Sequence, residues 1–284
     1  MSDFVLFCRS RDILIDSEPP VGVWRSFPTS DKPHKKNGRV KFMGDHGFAI
    51  NWATMTHPDL WQRDKDAPPL DPAQLARIAK QQAESAAKRI AGNKEAARKA
   101  AAILGICQVG EHPYLTAKGF PEASGNVYAH RSGARLLVVP MRRGAHLVGL
   151  QFIDESGNKK FLEDQASRGA ELVIDNKGVD VLCEGYATGL SIQAALQAAR
   201  IRYRIHCCFS AFNITVIGQA LREEKRRVIV VADNDPQHAG ENAAQQVADA
   251  YWISKTVGND FNDDHRARGL FAMSQDLKMI LMKR

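Results

Sequence analysis

The stretch that decides the fold reads RVIVVADNDP and spans residues 227–236. The run from Val228 to Ala232 is apolar throughout, which is typical of a strand buried on both faces. Two similar runs occupy residues 180–183 and 203–209. The pattern between and after these runs predicts helices over residues 188–199, 213–224 and 240–251. Apolar strands that alternate with helices indicate an α/β fold, with a parallel sheet covered by helices on both faces.

Acidic residues follow the first and third of these strands, as Glu184 and as the pair Asp233 and Asp235. The carboxyl ends of parallel strands collect functional groups, and right-handed crossovers can bring two such ends side by side. Three carboxylates in one small volume repel one another unless they take up protons or bind metal. Oxygen ligands favour Mg²⁺ or Mn²⁺, and such a site suits phosphoryl transfer. A single aspartate after a strand is more often a helix cap, so the hypothesis depends on the two signals together.

Residues 106–175 carry a different pattern, that of an antiparallel sheet. Apolar runs at residues 135–140 and 146–153 flank one turn, and a short run at residues 160–162 follows another. Four cations lie at these turns, and each one taken alone is more often a solvated surface residue: Arg142, Arg143, Lys159 and Lys160.

The N-terminal region predicts a β-hairpin over residues 38–51, with a tight turn at residues 44–47. Cations are mixed with aromatic residues around it: Lys35, Lys36, Arg39 and Lys41 with Trp24, Phe27, Phe42, Phe48 and Trp52. This mixture suits single-stranded nucleic acid, in which bases stack on rings and phosphates pair with cations. The alternative is a small sheet whose aromatic residues form a core and whose lysines are solvated. The sequence leaves both interpretations open.

An alanine-rich, basic segment at residues 70–105 predicts a helical linker. Asp71-Pro72 is a favourable helix start after the break at Pro68-Pro69, and Gly92-Asn93 predicts an interruption. The expected division is therefore an N-terminal β region at 1–69, the helical linker at 70–105, the antiparallel β subdomain at 106–175 and the parallel α/β domain at 176–284.

Composition narrows the class of protein. The 284 residues carry a formal charge of +7, which is compatible with a polyanionic partner. No apolar stretch reaches the roughly 18 residues of a membrane span, so no membrane partner is expected. The five cysteines form no CxxC pair, which argues against a zinc ribbon and for reduced thiols in a reducing compartment. The expected location is the cytoplasm.

These motifs carry a family resemblance. The segment from Val181 to Asp264 resembles the Toprim domain, the metal-binding fold of primases, topoisomerases and some nucleases. Upstream, His112–Gly119, Leu136–Pro140, Val148–Asp154 and Lys159–Leu162 are similar to the Toprim-type DNA primases of phages and plasmids. The run from Asp260 to Asp263 matches that family's segment beyond the acidic strand, and the N-terminal hairpin and helix resemble its amino-terminal layout.

The resemblance implies roles for individual residues. Glu184 would be a general base or metal ligand, and Asp233 and Asp235 would hold Mg²⁺ (or Mn²⁺). Asp260 is a further metal-ligand candidate, with Asp263 as an auxiliary acid. Lys118, Arg142, Arg143, Lys159 and Lys160 are candidates to hold triphosphate or DNA, and Lys35, Lys36, Arg39 and Lys41 are candidates for the template.

The leading hypothesis is a DNA primase that makes short primers on single-stranded DNA from nucleoside triphosphates, in phage or plasmid replication. One alternative is a Toprim-type nuclease that uses the same acids, and another is a non-catalytic DNA-binding replisome adaptor. Because the sequence contains no GxxxxGK[ST] phosphate loop, a helicase is expected as a separate partner.

Overall fold

The computed structural model describes residues 2–55, 57–65 and 72–282. The chain divides into two compact units, residues 1–91 and residues 92–284. The four-part division expected from the sequence is finer than this and stays a prediction.

The first unit contains helix α1, Asp3–Arg9, and a four-stranded antiparallel sheet. Its strands follow one another across the sheet in chain order: β1 Trp24–Phe27, β2 Gly38–Phe42, β3 His46–Asn51 and β4 Asp59–Gln62. The predicted hairpin is present as β2 and β3. Helix α1 and one face of the sheet enclose a hydrophobic core that contains Phe4, Val40, Phe42 and Ala49.

Helix α2 spans Pro72–Ile106. The predicted interruption at Gly92-Asn93 is wrong, because both residues are helical. One glycine costs a helix about 1 kcal/mol, and the alanine-rich turns on either side offset that cost. Burial adds to this, since Ala100 packs in a small core with Val138 and Leu150. The predicted cap Asp71 and the break at Pro68-Pro69 lie outside the described residues.

The second unit contains a five-stranded antiparallel sheet, as the turns predict. In order across the sheet its strands are β5 Gln108–Gly110, β6 Gly125–Ala129, β7 Arg135–Arg143, β8 His146–Ile153 and β9 Lys159–Phe161. A short helix α3, Pro113–Ala117, connects β5 to β6, and the His112 side chain accepts a hydrogen bond from the Tyr114 amide at its start. Strand β7 extends to Arg143, so the turn falls on Gly144 and Ala145.

The other sheet of this unit is the predicted parallel one. Its strands are β10 Leu172–Asp175, β11 Val179–Cys183, β12 Tyr203–Cys207, β13 Val228–Ala232 and β14 Ala250–Ile253, in the order β10-β12-β11-β13-β14. Only β10 runs antiparallel to its neighbour. Helices α4 Tyr186–Ala198 and α7 Phe261–Met282 pack on one face, and α5 Ala211–Glu223 and α6 Ala239–Val247 pack on the other. The predicted helical cover on both faces is confirmed.

The helix predicted at residues 240–251 is wrong at its end. Helix α6 stops at Val247, and Tyr251 lies in strand β14, which pairs in parallel with β13. The four residues of β14 are too few to show a strand period, while the small residues before them fit a helical pattern. Strand β14 places Trp252 in the core, where its ring meets Phe261 at a centroid distance of 4.8 Å.

A polar cluster is buried around His206 of β12 in this sheet. His206 Nδ1 lies 2.7 Å from Glu171 Oε2, and its Nε2 lies 3.1 Å from Asp180 Oδ1. Arg226 also donates to Asp180. Burial alone would lower the pKa of His206, but hydrogen bonds to the two carboxylates, and their charges, raise it to about 9. The imidazolium form therefore donates from both ring nitrogens at neutral pH.

All five cysteines are free thiols, and four of them are buried. Among the helices of the described ranges, none combines the length and the apolarity that a bilayer crossing requires.

Candidate active site

Two acids meet where neighbouring strands end. Strands β11 and β13 pair directly and in parallel, with Cys183 opposite Val231. Glu184 follows the end of β11, and Asp233 follows the last residue of β13. Both strands are buried apolar runs, so their register is fixed by the core and the position of each acid follows from it.

Burial and neighbouring negative charges raise the pKa values of both acids. Burial raises the pKa of Glu184; the Lys159 ammonium partly opposes this, and Asp235 adds to it. Burial also raises the pKa of Asp233 to about 7, with further contributions from the charges of Glu184 and Asp260. The Oδ1 atom of Asp233 is buried and has no hydrogen-bond partner among the described residues. An unpartnered carboxylate oxygen beside other acids is a favourable place for a cation.

Asp235 also caps a helix, which is the usual role of an aspartate that follows a strand. Its Oδ1 accepts hydrogen bonds from the amides of Gln237 and Ala239, and its Oδ2 accepts one from Gly240 at 3.1 Å. These bonds satisfy amides at the start of α6, where His238 is held in the left-handed conformation with φ of 55°. The carboxylate therefore anchors the loop that follows β13.

Asp260 and Asp263 form a reciprocal cap at the start of α7. Asp260 Oδ1 accepts from the Asp263 amide at 2.9 Å, and Asp263 Oδ2 accepts from the Asp260 amide at 3.2 Å. Thr188 of α4 donates to the other Asp260 oxygen at 3.3 Å. This arrangement is a capping box, and it holds Asp260 close enough to influence the pKa of Asp233.

This arrangement of acids and strands has a counterpart among known domains. Residues 180–270 match the family model described as "Toprim domain". This part of the chain is a Toprim domain. The resemblance predicted from Glu184 and from Asp233 and Asp235 is thereby confirmed at the level of the domain, as is the fold class. The antiparallel sheet precedes the Toprim domain in the chain, as predicted.

Comparison with solved structures finds similar chains from bacteriophage T7. One comes from a structure of the T7 lagging-strand DNA polymerase interacting with primase domains of two gp4 subunits bound to an RNA/DNA hybrid and dTTP. Its sequence is 18% identical, the match covers 55% of this chain and 81% of that chain, and the TM-score is 0.40. Another is the primase fragment of the T7 primase-helicase protein, at 16% identity, 59% and 68% coverage and a TM-score of 0.40. No curated protein matches the sequence.

The donor set of the Toprim domain suits a hard divalent cation. Glu184, Asp233 and Asp260 supply only oxygen, which Mg²⁺ and Mn²⁺ prefer, and the unpartnered Asp233 Oδ1 is available to a ligand. Within the described ranges, no three His, Cys, Asp or Glu side chains converge into a ready-made metal site. The fit therefore rests on the chemistry of the donors and on that one oxygen.

Two of the predicted cations lie beside these acids. The charge of Lys159 acts on both Glu184 and Asp233, and its Nζ lies 3.9 Å from where a Cβ would stand on Gly185. Lys118 Nζ lies 3.8 Å from Asp263 Oδ1. Both lysines line one pocket of about 390 Å³ formed by α3, the turn before β9 and α7.

Sequence analysis missed two residues of this pocket, Tyr114 and Arg266. Tyr114 is 3% exposed, and its hydroxyl has no hydrogen-bond partner among the described residues. The sequence signal for Tyr114 is its place within His112–Gly119, a segment that carries the family resemblance. Arg266 follows Asp263 by one helical turn, and that spacing was the available signal for it.

The other three cations lie elsewhere. Arg142 donates to the Ala145 carbonyl, and Arg143 donates to the carbonyls of Ala166 and Arg168. Lys160 is exposed and, next to Lys159 on strand β9, faces the opposite side of the strand. Among the described residues, no hydrogen bond or ion pair joins these three side chains to the acids.

The N-terminal cations divide into two groups. Lys35 and Lys36 are exposed in the connection between β1 and β2. Arg39 and Lys41 lie on β2, two residues apart, and therefore share one face of the sheet.

Proposed function

We propose that this protein is a metal-dependent nucleotidyltransferase that synthesises short primers on single-stranded DNA. The observation that carries the proposal is the pair of acids, Glu184 and Asp233, at adjacent strand ends of a Toprim domain, with Lys159 beside them. The proposal includes a cytoplasmic location, a role in phage or plasmid replication and a separate helicase partner.

The reaction joins two nucleotides. The 3′ oxygen of one nucleotide attacks the α-phosphorus of the next, a P–O bond forms, and the bond to pyrophosphate breaks. Glu184 accepts the proton of the attacking hydroxyl, a role that suits a carboxylate whose pKa is raised by burial. Mg²⁺ or Mn²⁺ held by Glu184, Asp233, Asp235 and Asp260 would stabilise the negative charge on the phosphates.

In this proposal, the basic pocket beside the acids binds the part of the triphosphate that leaves as pyrophosphate. Lys118, Lys159 and Arg266 supply cations for the triphosphate, and the Tyr114 hydroxyl supplies a donor. Its volume of about 390 Å³ is within the usual range for small-molecule sites. Arg142, Arg143 and Lys160 are assigned to DNA, and Lys35, Lys36, Arg39 and Lys41 to the template.

The test is incorporation of labelled nucleotides on circular single-stranded DNA with Mg²⁺ or Mn²⁺. Wild type is compared with Glu184→Gln and Asp233→Asn, and with Glu163→Gln, an exposed acid outside the site, as the matched control. Short products from wild type and the control alone support the proposal. Nicking of the circle that depends on the same acids would replace it with a nuclease. DNA binding with neither activity, with or without an added helicase, would leave a non-catalytic adaptor.

A further inference from the structure

The sheet of the first unit has one face that is not used for its core. The cross-strand partners Trp24, Lys41, Phe48 and Leu60 form a continuous row across β1, β2, β3 and β4. Directly opposed residues lie on the same side of a sheet, so this row shares one face. The next row on that face contains Ser26, Arg39 and Ile50, of which Ile50 is buried, and we call it, together with the first row, the outer face.

The aromatic residues of this unit separate between the two faces. Phe27, Phe42 and Trp61 pack in or against the hydrophobic core with Phe4. Trp24 and Phe48 lie on the outer face with their ring centroids 6.3 Å apart and their planes inclined by 38°. Because these two rings are absent from the core, folding of the unit does not explain them.

The outer face is also positively charged. Arg39 lies over the Trp24 ring, with its guanidinium carbon 5.4 Å from the ring centroid. Lys41 stands between Trp24 and Phe48 in the cross-strand row. Among the described residues of these two rows, none carries a carboxylate. The ligand that this combination fits is an anion with flat, apolar faces.

We propose that the outer face binds single-stranded nucleic acid, with unpaired bases stacked on Trp24 and Phe48 and phosphates paired with Arg39 and Lys41. Base stacking on an aromatic ring tolerates any sequence, since every base has a π-face, and the cations hold the backbone beside it. Duplex DNA keeps its base faces inside the stack and does not offer them to a flat sheet. The proposal deepens the proposed function by naming the surface that holds the template, but binding there needs neither metal nor catalysis.

The test measures binding of a fluorescent oligothymidylate to the full chain, by anisotropy, in EDTA and at several salt concentrations. Trp24→Leu and Phe48→Leu keep apolar bulk but remove the aromatic face, and each should weaken binding by about tenfold. Trp24→Phe should restore most of the affinity, because it restores a ring. Phe271→Ala is the matched control, since it removes an exposed aromatic ring from α7 and should leave binding unchanged.

A second pair of variants separates stacking from simple charge attraction. The double variant Arg39→Gln/Lys41→Gln should lose two phosphate contacts. Because each contact on a single strand contributes about 0.7 to the slope of log affinity against log salt concentration, the slope should become shallower by about 1.4. If the leucine variants bind as wild type while these lose affinity, the surface is only a charge contact and the stacking proposal is wrong. Equal binding of a duplex of the same length would also overturn it.

The outcome is distinguishable from that of the proposed function. Asp233→Asn, which removes a catalytic acid, should bind the oligonucleotide as tightly as wild type. Absence of primer synthesis in wild type, together with binding that depends on the two aromatic rings, would reject the proposed function and leave the surface intact. Primer synthesis with unchanged binding in the leucine variants would reject the surface alone.

Discussion

Replacing Asp233 by asparagine should stabilise the metal-free Toprim domain and abolish the proposed primer synthesis. The pKa of Asp233 is raised from an ordinary value of 3.8 to about 7, first by burial and then by Glu184 and Asp260. That difference is about three units, and at about 1.4 kcal/mol per unit it corresponds to roughly 4 kcal/mol at most. Asparagine has nearly the same shape and carries no charge, so the variant should escape most of this cost.

The sign of the effect depends on pH. A buried acid with a raised pKa holds its proton in the folded state when the unfolded chain has already lost it. Wild-type stability should therefore fall as the pH rises from 3.8 towards 7, with the full penalty present above 7. The stabilisation by Asp233→Asn should be large at pH 8 and small near pH 4.

Hydrogen exchange of the β13 amides is the direct assay, because it reports opening of the Toprim sheet separately from the other unit. Protection is compared between wild type and Asp233→Asn at each pH in EDTA, with Glu163→Gln as the control for loss of a carboxylate. Mg²⁺ should then restore protection in wild type and have less effect on the variant. Equal protection of the two proteins at pH 8 without metal would refute this account of the buried charge.

Three further predictions concern the same unit. The contribution of His206 to the free energy of unfolding should be fully present below about pH 6.5 and lost as the pH rises through about 9, because folding raises its pKa. Denaturant titration across that pH range measures this contribution. Gly189→Ala should destabilise the fold by about 1–3 kcal/mol in the same titration, since the new methyl group would collide with Sγ of Cys207. Lys159→Ala should weaken nucleotide binding by about tenfold or more in a calorimetric titration, whereas Lys160→Ala, its neighbour on the opposite face, should change it by less than about twofold.

The sequence predicts the parallel sheet well because apolar runs of strand length depend on burial alone. It also predicts that Glu184 and Asp233 are neighbours, since handed crossovers leave few arrangements of the strands. It could not show that Asp235 caps α6, because one Asp-x-Asp motif serves a helix start and a metal equally well. Nor could it separate Lys159 from Lys160, which required the register of β9 against β8.

Other misses have local causes. Strand β14 contains good strand formers but is too short for a strand period to show. Helix α2 runs through Gly92, a poor helix former that the surrounding turns accommodate. The role of the N-terminal aromatic residues was ambiguous in the sequence because these residues divide between the two faces of one sheet. Phe42 belongs to the core, while Phe48 lies on the outer face.

The most direct test of the central claim is to locate Mn²⁺ by anomalous diffraction in crystals of the protein grown or soaked with the metal. The account predicts a peak at about 2.0–2.3 Å from Asp233 Oδ1, with Glu184 among the neighbouring donors. That peak should be absent from Asp233→Asn crystals treated in the same way. The claim that these acids form the metal site of a phosphoryl-transfer centre would be contradicted by crystals saturated with Mn²⁺ that show no peak between the ends of β11 and β13. A peak found only elsewhere in the crystal would contradict it equally.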